Sequence, residues 1–173
     1  GGNEGAVTED AVPVGPVDST PTPAGTDIQV NTTTSGNQVA ASVSALNDGG
    51  FVVTWSSNWQ DGSAYGIYGQ RYDDMGATVG PEFLVNTETN NDQIYSSVTA
   101  LDDGGFVVTW SSSGQDGSGF GIYGQRYDDM GVAAGTEFQV NTVAAGEQRH
   151  PSITALDDGG FVVSWSGQDA SGY

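Results

Sequence analysis

A repeat of fixed length is the strongest constraint on what this 173-residue chain can fold into. The run Ile-Gln-Val-Asn-Thr at 28–32 returns as Phe-Leu-Val-Asn-Thr at 83–87 and as Phe-Gln-Val-Asn-Thr at 138–142, two steps of 55 residues. Two longer runs, at 45–56 and 65–76, return at the same step. A period of this size is typical of repeat architectures, in which each unit buries its apolar faces against the next unit.

The repeat divides the chain into four segments. Residues 1–26 carry four prolines among Thr, Gly, Ser and Val, which predicts an extended linker without a core-forming period. Repeat 1 covers 27–82 and repeat 2 covers 83–137. Repeat 3 covers 138–173 and is truncated, because the sequence reaches Tyr173 where the last segment of the unit begins.

Each repeat predicts four short β-strands and no helix. In the first repeat the expected strands lie at 28–32, 38–46, 50–57 and 65–73. The strand at 50–57 has apolar residues on both faces, and the Asn-Asp-Gly-Gly run that precedes it supplies the positive φ angles of a tight hairpin.

Four antiparallel strands repeated in tandem are the signature of β-propeller blades. We therefore predict an all-β fold of tandem four-stranded blade-like repeats, an incomplete β-propeller, preceded by the extended linker. At least ten strands are expected. A β-solenoid is the alternative, although solenoid coils usually repeat over fewer residues.

The composition excludes several classes of function. The chain has 22 acidic residues, three arginines and no lysine, for a net charge of −19, so it lacks the basic patch of a nucleic-acid binder. No apolar run approaches the roughly 20 residues of a membrane span. The absence of cysteine excludes disulfides and thiol catalysis, and the single histidine, His150, excludes a His-rich metal site. An acidic, lysine-free chain of this kind favours a secreted bacterial protein, extracellular or at the cell surface.

Two runs carry a resemblance to a known family. The run at 151–165, Pro-Ser-Ile-Thr-Ala-Leu-Asp-Asp-Gly-Gly-Phe-Val-Val-Ser-Trp, resembles the central hairpin of sialidase-type propeller blades, and the run at 121–128 resembles their outer strand. The whole unit, over 27–173, is also similar to tandem repeats of very large secreted or surface proteins of Gram-negative bacteria. Such repeats often stand beside RTX-type, cadherin-like or other calcium-binding modules.

The resemblance to sialidases does not extend to their active site. That site would need an arginine cluster, a tyrosine nucleophile with a glutamate, and an aspartate, brought together from several blades. Arg71 and Arg126 occupy equivalent positions of two repeats and so need not converge on one pocket.

A Gln-Asp-Gly-Ser loop recurs in the repeats and is a candidate calcium site. Carboxylate, hydroxyl and backbone oxygens are the ligands that calcium prefers, although the spacing matches neither an EF-hand nor an RTX nonapeptide. The alternative is an Asx turn, in which the aspartate caps its own backbone. The candidate metal ligands are Asp61, Ser63, Asp116, Ser118 and Asp169.

Three further residues are candidate contacts. Trp59 has no equivalent in the other repeats, which favours an exposed position in a loop. Arg71 and Arg126 are two of the three cations, and either pair with carboxylates between strands or blades, or grip a carboxylated sugar.

The near-identity of the copies predicts a structural or adhesive module of a large extracellular protein, calcium-stabilised, self-associating or filament-forming, and not an enzyme. The alternative is a glycan-binding or glycoside-hydrolysing propeller fragment. The expected partners are other copies, neighbouring repeats of a longer chain, or glycans. An open sheet edge after Trp165 is expected to take up a strand, with the Val-rich tail at 11–17 as candidate donor.

Overall fold

The protein is described by a computed structural model that covers residues 25–168. Three predictions fall outside this range: the linker structure before residue 25, the tail at 11–17 as strand donor, and Asp169 as metal ligand. Each sheet of the described part is called a blade. The strands are, in blade 1, β1 (Gln38–Ala45), β2 (Phe51–Asn58), β3 (Tyr65–Tyr72) and β4 (Thr78–Leu84); in blade 2, β5 (Gln93–Ala100), β6 (Phe106–Ser113), β7 (Phe120–Tyr127) and β8 (Phe138–Gln139); in blade 3, β9 (Glu147–Ala155) and β10 (Phe161–Gln168).

The predicted all-β blade fold is confirmed. Blades 1 and 2 are four-stranded antiparallel sheets in the order β1-β2-β3-β4 and β5-β6-β7-β8, and blade 3 contributes the pair β9-β10. Between residues 25 and 168 the regular elements are all strands, and no helix there could cross a membrane.

The blades begin at a different point of the repeat than the expected strands suggest. No strand forms at 28–32, and the fourth strand of blade 1 is β4, which ends at Leu84 inside the equivalent run at 83–87. That run therefore closes one blade and leads to the next. The division into 27–82, 83–137 and 138–173 describes the sequence period and stays a prediction.

Residues 28–32 take the place of the end of a preceding blade. The Tyr72 hydroxyl donates a hydrogen bond to the Val30 carbonyl oxygen at 3.2 Å, just as Tyr127 donates to Val85 at 3.4 Å from one blade to the one before it. Val30 is buried against the first face of blade 1. This contact explains why the run recurs without belonging to the blade that follows it.

The blades come together along their first strands. The Val98 N–H donates to Ser42 Oγ at 3.2 Å, and the Ile153 N–H donates to Ser97 Oγ at 3.3 Å, so β1, β5 and β9 lie side by side. Outer strands such as β4 lie at the periphery, where the residues of Thr78–Pro81 are exposed. This radial arrangement is that of a propeller whose axis runs beside the first strands.

The core lies between the blades. Trp55 and Trp110 are fully buried on the second strands, and a cluster that includes Val52 and Ile67 of blade 1 packs against Phe106 and Trp110 of blade 2. Both faces of β2 and of β6 are buried, as expected for a sheet sandwiched between neighbours.

Candidate functional site

One end of the blades carries Trp59, Arg149 and His150, three residues that break the repeat. Because neighbouring strands run antiparallel, the β2–β3 loop, the β6–β7 loop and the connectors between blades lie at this end. The first strands also start here, beside the axis. Loops at one end of a rigid β-scaffold are where binding residues concentrate.

Each first strand contains a bulge with an unusual backbone conformation. Ala40, Tyr95 and His150 occupy the same repeat position and have φ angles of 56°, 62° and 54°. The Tyr95 N–H donates to Ser56 Oγ at 3.2 Å, and the His150 N–H donates to Ser111 Oγ at 3.1 Å. A buried hydroxyl of the preceding blade therefore holds each of these two bulges in place. Positive φ at a bulky residue costs free energy and is concentrated at functional sites.

The bulges of blades 2 and 3 bring aromatic and charged side chains together, and we call this group the axial cluster. The rings of Tyr95 and His150 lie with centroids 4.1 Å apart. The Arg149 guanidinium lies 3.7 Å from the centre of the Phe120 ring, and its Nε donates to Glu147 Oε2 at 2.8 Å. The axial cluster thus consists of the accessible Tyr95 and His150 rings and, on the neighbouring residues of β9, the Arg149–Glu147 pair, whereas the Phe120 ring is buried beneath Arg149.

Sequence reasoning passed over most of the axial cluster. Arg149 and His150 stand out as unrepeated residues, but Tyr95 and Glu147 do not enter the candidate set. The available signal is a short variable stretch at 39–41, 94–96 and 149–151, with Ala, Tyr and His at its centre, between a glutamine and a serine that repeat in all three copies. That signal becomes meaningful only once the bulge shows that the position faces the axis.

Trp59 is exposed, as expected for an unrepeated loop residue. It is 68% exposed, begins the β2–β3 loop with φ 65°, and its N–H donates to the Ala64 carbonyl oxygen at 2.6 Å. Gly114, its counterpart in blade 2, has φ 76°. The repeat therefore fixes the turn, and the indole is an addition of blade 1 on the same end as the axial cluster.

The two repeated arginines lie in different environments. Arg71 is buried; its Nη2 lies 3.5 Å from Asp48 Oδ2 and donates to the Asp129 carbonyl oxygen of blade 2 at 3.0 Å. Arg126 is exposed and pairs with Asp103. Arg71 thus bridges two blades, and the two arginines do not share a pocket.

The aspartates of the Gln-Asp-Gly-Ser loops form Asx turns. Asp61 Oδ1 accepts the Ser63 N–H at 3.0 Å, and Asp116 Oδ1 accepts the Ser118 N–H at 3.1 Å. Over residues 25–168, no group of three or more His, Cys, Asp or Glu side chains is placed to hold a metal ion. The turn geometry accounts for the loops, and calcium binding stays a prediction.

A hydrogen-bond network that recurs in blades 1 and 2 links the β2–β3 or β6–β7 loop to the segment that leads into the same blade. Glu82 accepts hydrogen bonds from the Thr32 N–H at 2.8 Å and from Gln60, and Glu137 makes the same bonds in blade 2. Burial raises the pKa of Tyr68 to about 12, and the nearby Asp61 and Glu82 carboxylates add to the rise. Because this network recurs in both blades, it stabilises the fold.

The cavities on the described surface include one beside blade 3 and one beside blade 2. The larger, of about 330 Å³, is lined by Asn141, Gln148 and Trp165 among others, and we call it the blade 3 cavity. The smaller, of about 270 Å³, lies beside Glu88 and Asn90. There the backbone N–H and the side-chain amide of Asn90 donate to Glu88 and lower the pKa of that carboxyl group.

Comparison with known proteins finds solved structures that share the fold. No protein-family model matches the chain, and no curated protein matches its sequence. The chain is similar to the crystal structure of an endo-arabinase from Bacteroides thetaiotaomicron VPI-5482, with a TM-score of 0.53 and 18% identity, over 84% of this chain and 56% of that one. It is also similar to an endo-1,4-β-xylanase from the same organism, with a TM-score of 0.56 and 13% identity, over 87% of this chain and 55% of that one. The chain thus spans about half the length of either protein, and the likeness shows a shared fold.

These matches correct the expected function. The prediction of a structural or adhesive, non-enzymatic module is wrong, because the solved structures that share the fold are named as two glycan-cleaving enzymes. The physical reason is that every blade must present the same two faces to its neighbours, so near-identical copies reflect packing and do not indicate scaffolding.

Proposed function

We propose that the chain supplies a glycan-binding site to a β-propeller, with the axial cluster as the contact surface. The observation that carries the proposal is the pair of strained bulges that place Tyr95 and His150 in contact at 4.1 Å beside the axis. Aromatic faces give a sugar ring apolar area, and neighbouring polar groups fix its orientation. The names of the two solved structures with this fold support the same class of ligand.

Glu147 is the carboxylate that this site offers for glycoside chemistry. The same repeat position holds Asn37 before β1 and Asp92 before β5, so blades 2 and 3 both carry a carboxylate at the start of the first strand. Hydrolysis of a glycosidic bond generally uses two carboxyl groups, one as acid and one as base or nucleophile. Cleavage at the axial cluster therefore requires a second carboxylate from another part of the propeller, while binding does not.

Retention in polysaccharide-containing gels tests the proposal. Arabinan and xylan are the polymers to compare, with dextran as a reference. We expect Tyr95→Ala and His150→Ala to weaken retention about tenfold or more, which corresponds to roughly 1.4 kcal/mol. Met130→Ala is the matched control, because Met130 is exposed in the β7–β8 turn at the opposite end of the blades.

Two outcomes would contradict the proposal: equal mobility with and without every polymer, or the same loss in Met130→Ala as in Tyr95→Ala. Melting curves of each variant separate loss of the site from loss of the fold. Release of reducing sugar from the same polymers, and its loss in Glu147→Gln, tests cleavage separately from binding.

A further inference from the structure

Trp59 has a strained backbone conformation at a position where blade 2 has a glycine. Trp59 begins the β2–β3 loop with φ 65°, and Gly114 begins the β6–β7 loop with φ 76°. Glycine adopts this left-handed conformation without a steric cost, whereas a bulky residue does so only at a cost in free energy. Blade 1 therefore carries a strain at this turn that blade 2 avoids.

The turn itself does not need the indole. The Trp59 N–H donates to the Ala64 carbonyl oxygen at 2.6 Å, and the Trp59 carbonyl oxygen accepts the Gly62 N–H at 3.4 Å. In blade 2 the N–H and the carbonyl oxygen of Gly114 make the two equivalent hydrogen bonds, at 2.7 and 3.1 Å. The two loops thus form the same turn with and without a side chain at this position.

Burial of the ring does not offset the strain either. Trp59 is 68% exposed, so most of its apolar surface remains in contact with water and contributes little to the free energy of folding. An exposed aromatic residue that is strained, and that neither the turn nor the core requires, fits a contact with a ligand.

Trp59 also lies within reach of the axial cluster. It follows Ser56 by three residues, so the Cα atoms of the two residues are no more than about 11 Å apart. Ser56 Oγ in turn accepts the Tyr95 N–H of the axial cluster at 3.2 Å. One extended ligand at this end of the blades can therefore contact the indole of blade 1 and the axial cluster together.

We propose that Trp59 is a second contact for the glycan, and that it binds sugar residues farther along the chain than those at the axial cluster. This inference rests on the proposed function of the axial cluster. The indole offers a flat apolar face on which a sugar ring can stack. Because the two contacts lie on different blades, only an oligosaccharide that is long enough reaches both. The protein therefore selects long glycan chains over short ones.

Titration calorimetry with disaccharides and hexasaccharides of xylan and of arabinan tests the proposal. We expect a hexasaccharide to bind about three- to tenfold more tightly than the disaccharide, which is the size of one aromatic contact. Trp59→Gly should remove this gain and leave the affinity for the disaccharide unchanged, whereas Trp59→Phe should keep most of the gain. Tyr95→Ala should weaken the binding of both lengths. The melting temperature of Trp59→Gly should match that of the parent chain, because Gly114 forms the same turn.

Fluorine NMR of the chain labelled with fluorotryptophan reports on the residue itself. The Trp59 resonance, assigned by its loss in Trp59→Phe, should shift with the hexasaccharide and not with the disaccharide. If both sugars bind and this resonance does not move, or if Trp59→Gly keeps the preference for length, this inference is wrong while the proposed function stands. A large drop in the melting temperature of Trp59→Gly would assign the indole to the fold and also overturn the inference. If neither sugar binds, the proposed function and this inference are both wrong.

Discussion

Blades 2 and 3 use almost the same strand sequence in two different environments. The second strand reads Phe-Val-Val-Thr-Trp-Ser in blade 2 and Phe-Val-Val-Ser-Trp-Ser in blade 3. Val107 is fully buried in β6, whereas Val162 in β10 is 50% exposed. Within residues 25–168, a third strand and a following blade lie against β6, and neither lies against β10. Burial in this fold is therefore a property of the neighbours of a strand and not of its own sequence.

The largest effect that we expect is the unfolding of blades 1 and 2 at alkaline pH, and it tests the role of their third strands. Burial raises the pKa of Tyr68 to about 12 and also raises the pKa of Tyr72, Tyr123 and Tyr127, all on third strands. An unfolded tyrosine ionises near pH 10, so this contribution to stability is complete below pH 10 and is lost as the pH rises through the folded values. We expect the near-ultraviolet circular dichroism to be unchanged at pH 9 and to collapse between about pH 10 and 12. A tertiary signal that persists at pH 12 would contradict this expectation.

The two tryptophans should differ strongly when they are truncated. Trp110→Ala removes a fully buried ring and should lower the free energy of unfolding by about 3–5 kcal/mol. Trp165→Ala, at the same position of blade 3, should cost no more than about 1.5 kcal/mol, since much of the ring already contacts solvent. Urea unfolding measures both values, and equal losses would break the comparison.

The hairpin glycines give a second matched pair. An added Cβ at Gly105 lies 2.3 Å from the Tyr127 carbonyl oxygen, so Gly105→Ala must displace backbone and should cost about 1–3 kcal/mol. An added Cβ at Gly160 meets the flexible ends of the Asp158 and Leu156 side chains and no backbone, so Gly160→Ala should change stability by less than about 0.5 kcal/mol. Thermal melts of the two variants measure both losses of stability. A larger loss for Gly160→Ala than for Gly105→Ala would contradict the prediction.

The repeated arginines should give the smallest difference. Arg71→Gln removes a buried bridge to the Asp129 carbonyl oxygen and should cost about 1–2 kcal/mol. Arg126→Gln removes an exposed ion pair with Asp103 and should cost at most about 0.5 kcal/mol, less at high salt. Unfolding at low and high salt distinguishes the two, and a strongly salt-dependent loss for Arg71→Gln would count against a buried bridge.

The sequence predicts the blades well because the blade pattern is local. The Asp-Gly-Gly turns and the apolar runs on both sides specify the hairpin of the first two strands in each blade. The fourth strand is missed because Thr78–Leu84 includes Gly80 and Pro81, which weaken a strand pattern and are tolerated only because β4 is an outer strand. The prediction of a first strand at 28–32 is wrong because a repeat period has no intrinsic starting point, and this run lies where a preceding blade would end.

The candidate site could be predicted less well, because it depends on contacts between blades. Trp59 is visible as an unrepeated residue. Tyr95 is not, since its importance arises from a bulge held by Ser56 of another blade and from the His150 ring against it. Contacts of this kind join residues about one repeat apart and have no local signature.

Hydrogen exchange of the backbone amides tests the central claim most directly, because it compares β6 and β10 within one molecule. If neighbouring strands provide the order, the amides of β6 should exchange only on global unfolding, whereas the β10 amides that face away from β9 should exchange through local opening, orders of magnitude faster. Equal protection along β6 and β10 would show that the hairpin of blade 3 is as well supported as blade 2, and would contradict the account.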